Sequence, residues 1–214
     1  MHTDADFARD YLESASVVRE LLATDHVARE WDAPSVLPRW SVGGLAGHLA
    51  RPVLTVPGFL VAVAATNGPV VSAVEYFAVM PDEDNDPSSE VATFIRQRGV
   101  ETAGDGPADL LHRYDVVMED LPAMLMAAGA DHEVVAFGRR MRLDEYLVTR
   151  VVEMIVHADD LAVSVGTVMP GFPEPASDVC LATLAAIASR RRGAVGVMRA
   201  LARSERAPTD VSAF

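Results

Sequence analysis

The sequence predicts an all-α fold in which four long helices enclose one core, two further helices follow at the C-terminal end, and one small β-hairpin is the sole strand structure. Three observations lead there. Apolar residues recur at helical spacing in four long segments, strand-type alternation is confined to residues near 134–141, and no repeat or interior boundary divides the 214 residues. Half of the residues are hydrophobic and 23% are charged, which suits a globule with a buried core. Residues 1–214 are therefore read as a single domain without a second, C-terminal one.

The first helix is expected over residues 3 to about 27. Thr3 stands as its N-cap, Asp6 at the capping-box position, and Phe7, Tyr11, Leu12, Ala15, Val18, Leu21 and Leu22 on one face. After the loop "WDAPSVLPRW", Ser41 is placed to cap a second helix that runs through Leu45, His48 and Leu49 toward Ala65. Pro52 and Pro57 are expected to kink or interrupt it. Residues 66–88 have turn residues at both ends and an acidic run, so they read as an excursion over the bundle surface, with the part near Val70 to Val79 packing down. A helix from about Ser89 to Gln97 then meets a glycine break, "GVETAGDG", before Pro107 opens a third long helix to Ala128, bent at Pro122. Alternation around Val134 to Phe137 and at Met141, with Gly138 and Arg139 between, predicts the hairpin. The fourth long helix spans about Asp144 to Val165 and stops at Gly166. A fifth covers 177–192, with "RRRG" at its C-terminus offsetting the dipole, and a shorter one reaches about Arg203.

Charge excludes several functions. Acidic residues outnumber basic ones by 31 to 18, the formal charge is −13, and every basic residue among the 18 is arginine. Phosphate neutralisation needs clustered positive charge, so neither a nucleic acid nor an anionic membrane is an expected partner. The longest apolar run, Pro52 to Ala65, is shorter than a bilayer span and holds two prolines. The start "MHTDADFARDYLE" lacks the basic and apolar segments of a secretory signal, and the single Cys180 has no internal disulfide partner. A cytoplasmic location is expected, with Cys180 as a small buried hydrophobe; a homodimer is left open, since the sequence does not fix the oligomeric state.

The stretch "RVVEMIVHADDLA", residues 150–162, raises the chemical question. It sets Glu153 and His157 four residues apart, about 40° around a helix and one turn along it, with Asp160 three residues further. Val151, Val152, Met154, Ile155, Val156, Leu161 and Val163 are so apolar that the helix should be buried nearly all round. An ionised glutamate there costs on the order of several kcal/mol unless a cation compensates it. Arg150, three residues earlier, is one candidate, and a cation held against the neighbouring helix is the other. The segment "WSVGGLAGHLARP" puts His48 about two turns into the second helix, behind Gly43, Gly44, Ala46 and Gly47, whose size admits another backbone or a ligand. His48, Glu153 and His157 would form a two-histidine, one-carboxylate set with open positions, as catalytic zinc sites keep. Spacing alone leaves this reading beside that of a hydrogen-bonded core pair.

Together "WSVGGLAGHLA" and "YLVTRVVEMIVHADDLAVSVG" resemble the mycothiol-dependent maleylpyruvate isomerase metal-binding domain of the DinB-like superfamily, over most of the chain and in the same order. The resemblance implies a DinB-like four-helix bundle in which His48, Glu153 and His157 bind a divalent metal, most often zinc, with nickel or manganese as alternatives. It gives Asp160 a supporting role beside the ligands and makes Trp40 a packing anchor. It further implies an enzyme that activates a low-molecular-weight thiol, mycothiol if the source makes it, for transfer to a small electrophile or for its isomerisation. The same ligands would serve a hydrolase that ionises water, or a non-catalytic metal-binding or interaction module. The chain has no room for the C-terminal domain of the full-length isomerase, so a catalytic group supplied there is expected to be missing. Lysine-free, alanine- and arginine-rich usage accords with a high-GC, actinobacterial source.

Other signals carry less. The run Asp82, Glu83, Asp84, Asn85, Asp86 starts like a calcium loop, but Pro87 takes the glycine position and Thr93 the twelfth, so it reads as a solvated loop. The stretch "GGLAGH" lacks the spacing of a dinucleotide fingerprint, and His2, His26, His112 and His132 are expected at the surface.

Overall fold

The computed structural model describes residues 4–62, 68–79, 86–136 and 138–213, with the side chains of residues 4–7 outside that description. Its helices are α1 (Asp4–Leu22), α2 (Asp25–Arg29), α3 (Val42–Leu54), α4 (Val56–Val61), α5 (Ala73–Ala78), α6 (Glu90–Ala103), α7 (Pro107–Ala128), α8 (Leu143–Ser164), α9 (Glu174–Ala188) and α10 (Ala194–Ala202). An antiparallel hairpin, β1 (Glu133–Ala136) and β2 (Arg139–Arg142), precedes α8 and pairs Val134 with Met141. The four long helices close a ring, since α1 and α3 each pack against both α7 and α8. This is the predicted all-α, DinB-like four-helix bundle, with α9 and α10 added after it. Tyr11, Leu45, Leu49, Tyr114, Met154 and Leu161 are fully buried at its centre. Two buried phenols are satisfied across the ring: Tyr11 donates to Pro52 O at 2.9 Å and Tyr114 to Ala15 O at 2.8 Å. No helix among the described residues is long and apolar enough to cross a membrane.

Several element ends differ from expectation, each for a local reason. The first helix stops at Leu22, not near residue 27, because Thr24 takes extended backbone and caps the separate α2 through Val27 N. Its expected cap, Thr3, and the Asp6 side chain lie outside the described residues. Ser41 caps α3 as predicted; Pro52 is accommodated inside the helix, the break falls at Thr55, and Pro57 sits in the first turn of α4. Part of the expected excursion forms α5, capped by the reciprocal Ser72 and Glu75 box, which buries Tyr76 and Phe77 and packs on α9. Of the acidic run, Asp82, Glu83, Asp84 and the intervening Asn85 lie outside the described residues, and Asp86 is exposed.

Instead of ending at Gln97, α6 continues through Gly99 to Ala103. A Cβ on Gly99 would stand 2.6 Å from Gly44 O and 2.8 Å from the Trp40 ring, so here the glycine serves close helix packing and breaks nothing. The true stop is at Gly104 and Gly106, both with positive φ. Pro107 opens α7 and Pro122 lies within it, as expected. In the hairpin Arg139 is already a β2 residue paired with Ala136, and Phe137 is outside the described residues. The fifth helix begins at Glu174, earlier than predicted, with Pro175 in its first turn. Arg190, Arg191 and Arg192 lie in a π-helical turn, Ser189–Gly193, that extends the helix to the residue after 192, where Gly193, with a φ of 92°, separates it from α10.

Candidate metal centre

His48 comes from the second turn of α3, whose start is fixed by Ser41 Oγ accepting from Gly44 N at 3.0 Å. Behind it a Cβ on Gly47 would overlap Gly99 O and stand 2.6 Å from Ala103 N. The glycine run therefore admits the backbone of α6 and not a ligand. With that face of α3 committed to α6, the His48 ring meets α8. Trp40 packs against it at a centroid distance of 5.1 Å, which bears out the packing role and also makes Trp40 a wall of the site.

Glu153 and His157 project side by side from α8. His48 Nε2 lies 3.2 Å from His157 Nε2 and 3.6 Å from Glu153 Oε2, and His157 Nε2 lies 3.3 Å from the same oxygen. All three side chains are largely buried. His157 Nδ1 donates to Asp160 Oδ2 at 2.9 Å, which turns Nε2 toward the other two groups. Ligands about 2.1 Å from a tetrahedral ion stand about 3.4 Å apart, and those around an octahedral ion about 3.0 Å. The three separations bracket the tetrahedral value, so the spacing of these atoms is that of a group that could hold one metal ion. His48 Nδ1, by contrast, is buried with no hydrogen-bond partner, so beyond its contacts with His157 and Glu153 the ring is held by packing.

The electrostatics explain why Glu153 is tolerated. Burial alone would raise its pKa, but His157 and His48 bond to the carboxylate and hold it well below the usual range. Burial would likewise lower the His157 pKa; Asp160 and then Glu153 outweigh it and push the imidazole up to about 9. At His48 burial wins and the pKa falls, although Glu153 opposes it. Without metal, the compensating cation is thus a proton on His157. Arg150 does not take that role by contact, since its guanidinium lies over the Tyr146 ring, 5.0 Å from the centroid, donates to Thr149 Oγ1, and acts on Glu153 through space.

The three donors open on a cavity of about 430 Å³, walled by Leu37, Trp40, Phe77, Ile95, Val152 and Val156, with Arg96 also in its lining. A smaller cavity of about 110 Å³ shares His48 and Glu153 and is bordered by Arg51, Arg98 and Arg150. The walls from α6 and, of this arginine group, Arg51 and Arg98 are what sequence reasoning missed, Arg150 already being a candidate partner of Glu153 in the sequence. Part of the group had a signal, because Arg51 follows His48 by three residues and Arg150 precedes Glu153 by three. Arg98 had none, since it reaches the site from α6. His26 and His112 are exposed as expected, His132 is half-buried, and His2 is outside the described residues. Cys180 is buried in α9 and lines neither cavity.

A family model described as the mycothiol maleylpyruvate isomerase N-terminal domain matches residues 12–162, more than half of the chain and a span that includes all three donors and Asp160. No curated protein matches the chain, and no solved structure does.

Proposed function

Because the chain belongs to the mycothiol maleylpyruvate isomerase N-terminal domain family, we propose that it is a divalent-metal enzyme that activates a low-molecular-weight thiol, mycothiol, for transfer to a small electrophile or for its isomerisation. His48, Glu153 and His157 hold the ion, zinc in the first instance. The observation that carries this reading is the convergence of two imidazole nitrogens and one carboxylate oxygen within 3.2–3.6 Å at the wall of a 430 Å³ cavity.

A free thiol with a pKa near 8.5 is only about 3% thiolate at pH 7. A divalent ion held by these residues would supply the Lewis acidity that favours loss of the thiol proton. The chain's own groups do the rest. Asp160 keeps the His157 proton on Nδ1, Glu153 stays anionic, and the apolar walls exclude water and hold the electrophile beside the sulfur. The described residues are taken to act as one domain, since α9, beyond the matched span, packs on both α5 and α8.

The test is metal analysis of the wild type and His48→Ala, coupled to conjugation assays with several thiols. The expected result is about one ion per chain in the wild type, little in the variant, and thiol-dependent turnover abolished by chelation. Equal metal content in the two proteins would sink the ligand assignment. Turnover that is lost on chelation yet needs no thiol would make the protein a hydrolase, and a wild type without metal would leave only a binding module.

A further inference from the structure

Far from the cluster, α10 turns an apolar face outward. At about 100° per residue, Leu201, Ala194, Met198, Ala202 and Val195 fall on one arc of about 120°. All five are exposed, Val195 to 56%, Met198 to 58% and Leu201 to 78%. Gly196, Val197 and Ala200 form the opposite, inward face, where Pro208 of the C-terminal segment stands 3.7 Å from the position of a Cβ on Gly196. The fold therefore covers one side of α10 and leaves a continuous apolar stripe on the other.

Positive charge is gathered around that stripe. Residues 189–206 hold Arg190, Arg191, Arg192, Arg199, Arg203 and Arg206 but a single acidic residue, Glu205, in a chain of formal charge −13. Arg199 borders the stripe on α10 itself, Arg190 to Arg192 precede it in the π-helical turn, and Arg203 and Arg206 follow it. Glu205 lies 3.4 Å from Arg206 and Asp210 lies 3.9 Å from Arg192, while Glu75 faces Arg190 only through space. Among the described residues no ion pair joins Arg199 or Arg203 to a carboxylate, and both are exposed. A basic helix with an apolar outward face is the pattern of a segment that lies on a lipid surface.

Size and sign decide between occupants. A helix of nine residues is about 13 Å long, so its outward face offers at most about half of the roughly 800 Å² that each partner gives to a stable protein interface. A second copy of the chain, packed stripe to stripe, would also set one arginine group against the other. A bilayer meets neither obstacle, because each apolar side chain enters the headgroup boundary independently and each arginine there meets an anionic headgroup.

We propose that α10 and its flanking arginines are a docking surface for an anionic lipid bilayer, with Val195, Met198 and Leu201 in the headgroup boundary and Arg190, Arg199, Arg203 and Arg206 against lipid phosphates. The helix lies in the plane of the surface, since it is too short to cross it. The net charge of −13 is a sum over the whole chain, and carboxylates beyond a Debye length of about 8 Å are screened, so the local group sets the sign of the contact. None of these residues lines either cavity at the cluster, so the surface stands apart from the metal and thiol reading.

The test is co-sedimentation of the full chain with phosphatidylcholine vesicles, with and without phosphatidylglycerol. The chain should bind the mixed vesicles, bind the neutral ones weakly, and be largely released at about 1 M salt. Leu201→Asp and Met198→Asp should each weaken binding to mixed vesicles by about tenfold or more, and Arg203→Gln by about fivefold. All three positions are exposed, so these variants should keep the wild-type Tm. Val116→Asp, at an exposed apolar position of α7, should bind as the wild type does. A wild type that stays in the supernatant overturns the proposal, as do equal binding to both vesicle types and wild-type binding by Leu201→Asp and Met198→Asp. A wild type that dimerises, is dispersed by Met198→Asp and ignores vesicles overturns it in favour of a contact between copies.

Discussion

At the scale of single residues the centre is a balance between protons and a metal. In the metal-free chain His157 has a pKa of about 9, so at pH 7 it is protonated and metal must displace that proton. Calorimetry in buffers of different ionisation enthalpy should show about one proton released per ion bound at pH 7, with affinity rising as pH is raised toward 9. The same groups set the stability of the metal-free chain. His157, raised from 6.5, contributes stability that is complete below pH 6.5 and lost as pH rises through 9. His48, lowered from 6.5, costs stability as pH falls below that value, and Glu153, lowered from 4.5, does so below 4.5. The urea midpoint should therefore peak near pH 6.5, and a midpoint still climbing at pH 9 would contradict the assignment. Asp160→Asn should weaken metal binding by about 10–100-fold, measured by chelator competition, because the His157 ring keeps an acceptor at best but loses the carboxylate charge that raises its basicity. Cys180, whose thiol burial pushes up to about 11, should react with a disulfide reagent at pH 8 only as the chain unfolds.

At the scale of elements, the ends that sequence placed well are those with a local chemical cause. Ser41 before α3, Pro107 at the start of α7 and Gly166 after α8 each act within one turn. The misplaced end of α6 depends on another helix. Gly99 reads as a breaker in isolation, yet it is the residue that lets α6 lie against Gly44 and Gly47 of α3. Gly47→Ala should accordingly cost about 2 kcal/mol or more in urea unfolding, beyond the helix-propensity gain of alanine, because its Cβ meets fixed backbone. Gly58→Ala, with open space at its Cβ, is the control and should be neutral or slightly stabilising. Equal stabilities for the two variants would show that α3 and α6 do not depend on this contact.

At the scale of the whole molecule a metal at this site is a staple, since it joins α3 to α8 across 109 residues of chain. An ion present at 1,000 times its Kd stabilises by about 4 kcal/mol, so chelation should lower the Tm by roughly 10 °C. His48→Ala should melt at one temperature with or without chelator. An unchanged wild-type Tm would remove the staple. What the sequence determined by itself is the helical class, the four long segments, and the pair Glu153 and His157, because helical period and one-turn spacing are local properties that 3.6 residues per turn convert directly into position. It also singled out His48, through a motif whose partner lies on a distant helix. Only the tertiary structure decided that His48, Glu153 and His157 meet within 3.2–3.6 Å, that α6 walls the cavity beside them, and that Arg51, Arg98 and Arg150 border a second one. Those are distances between helices far apart in sequence, fixed by which faces pack and how closely, and no local period encodes them.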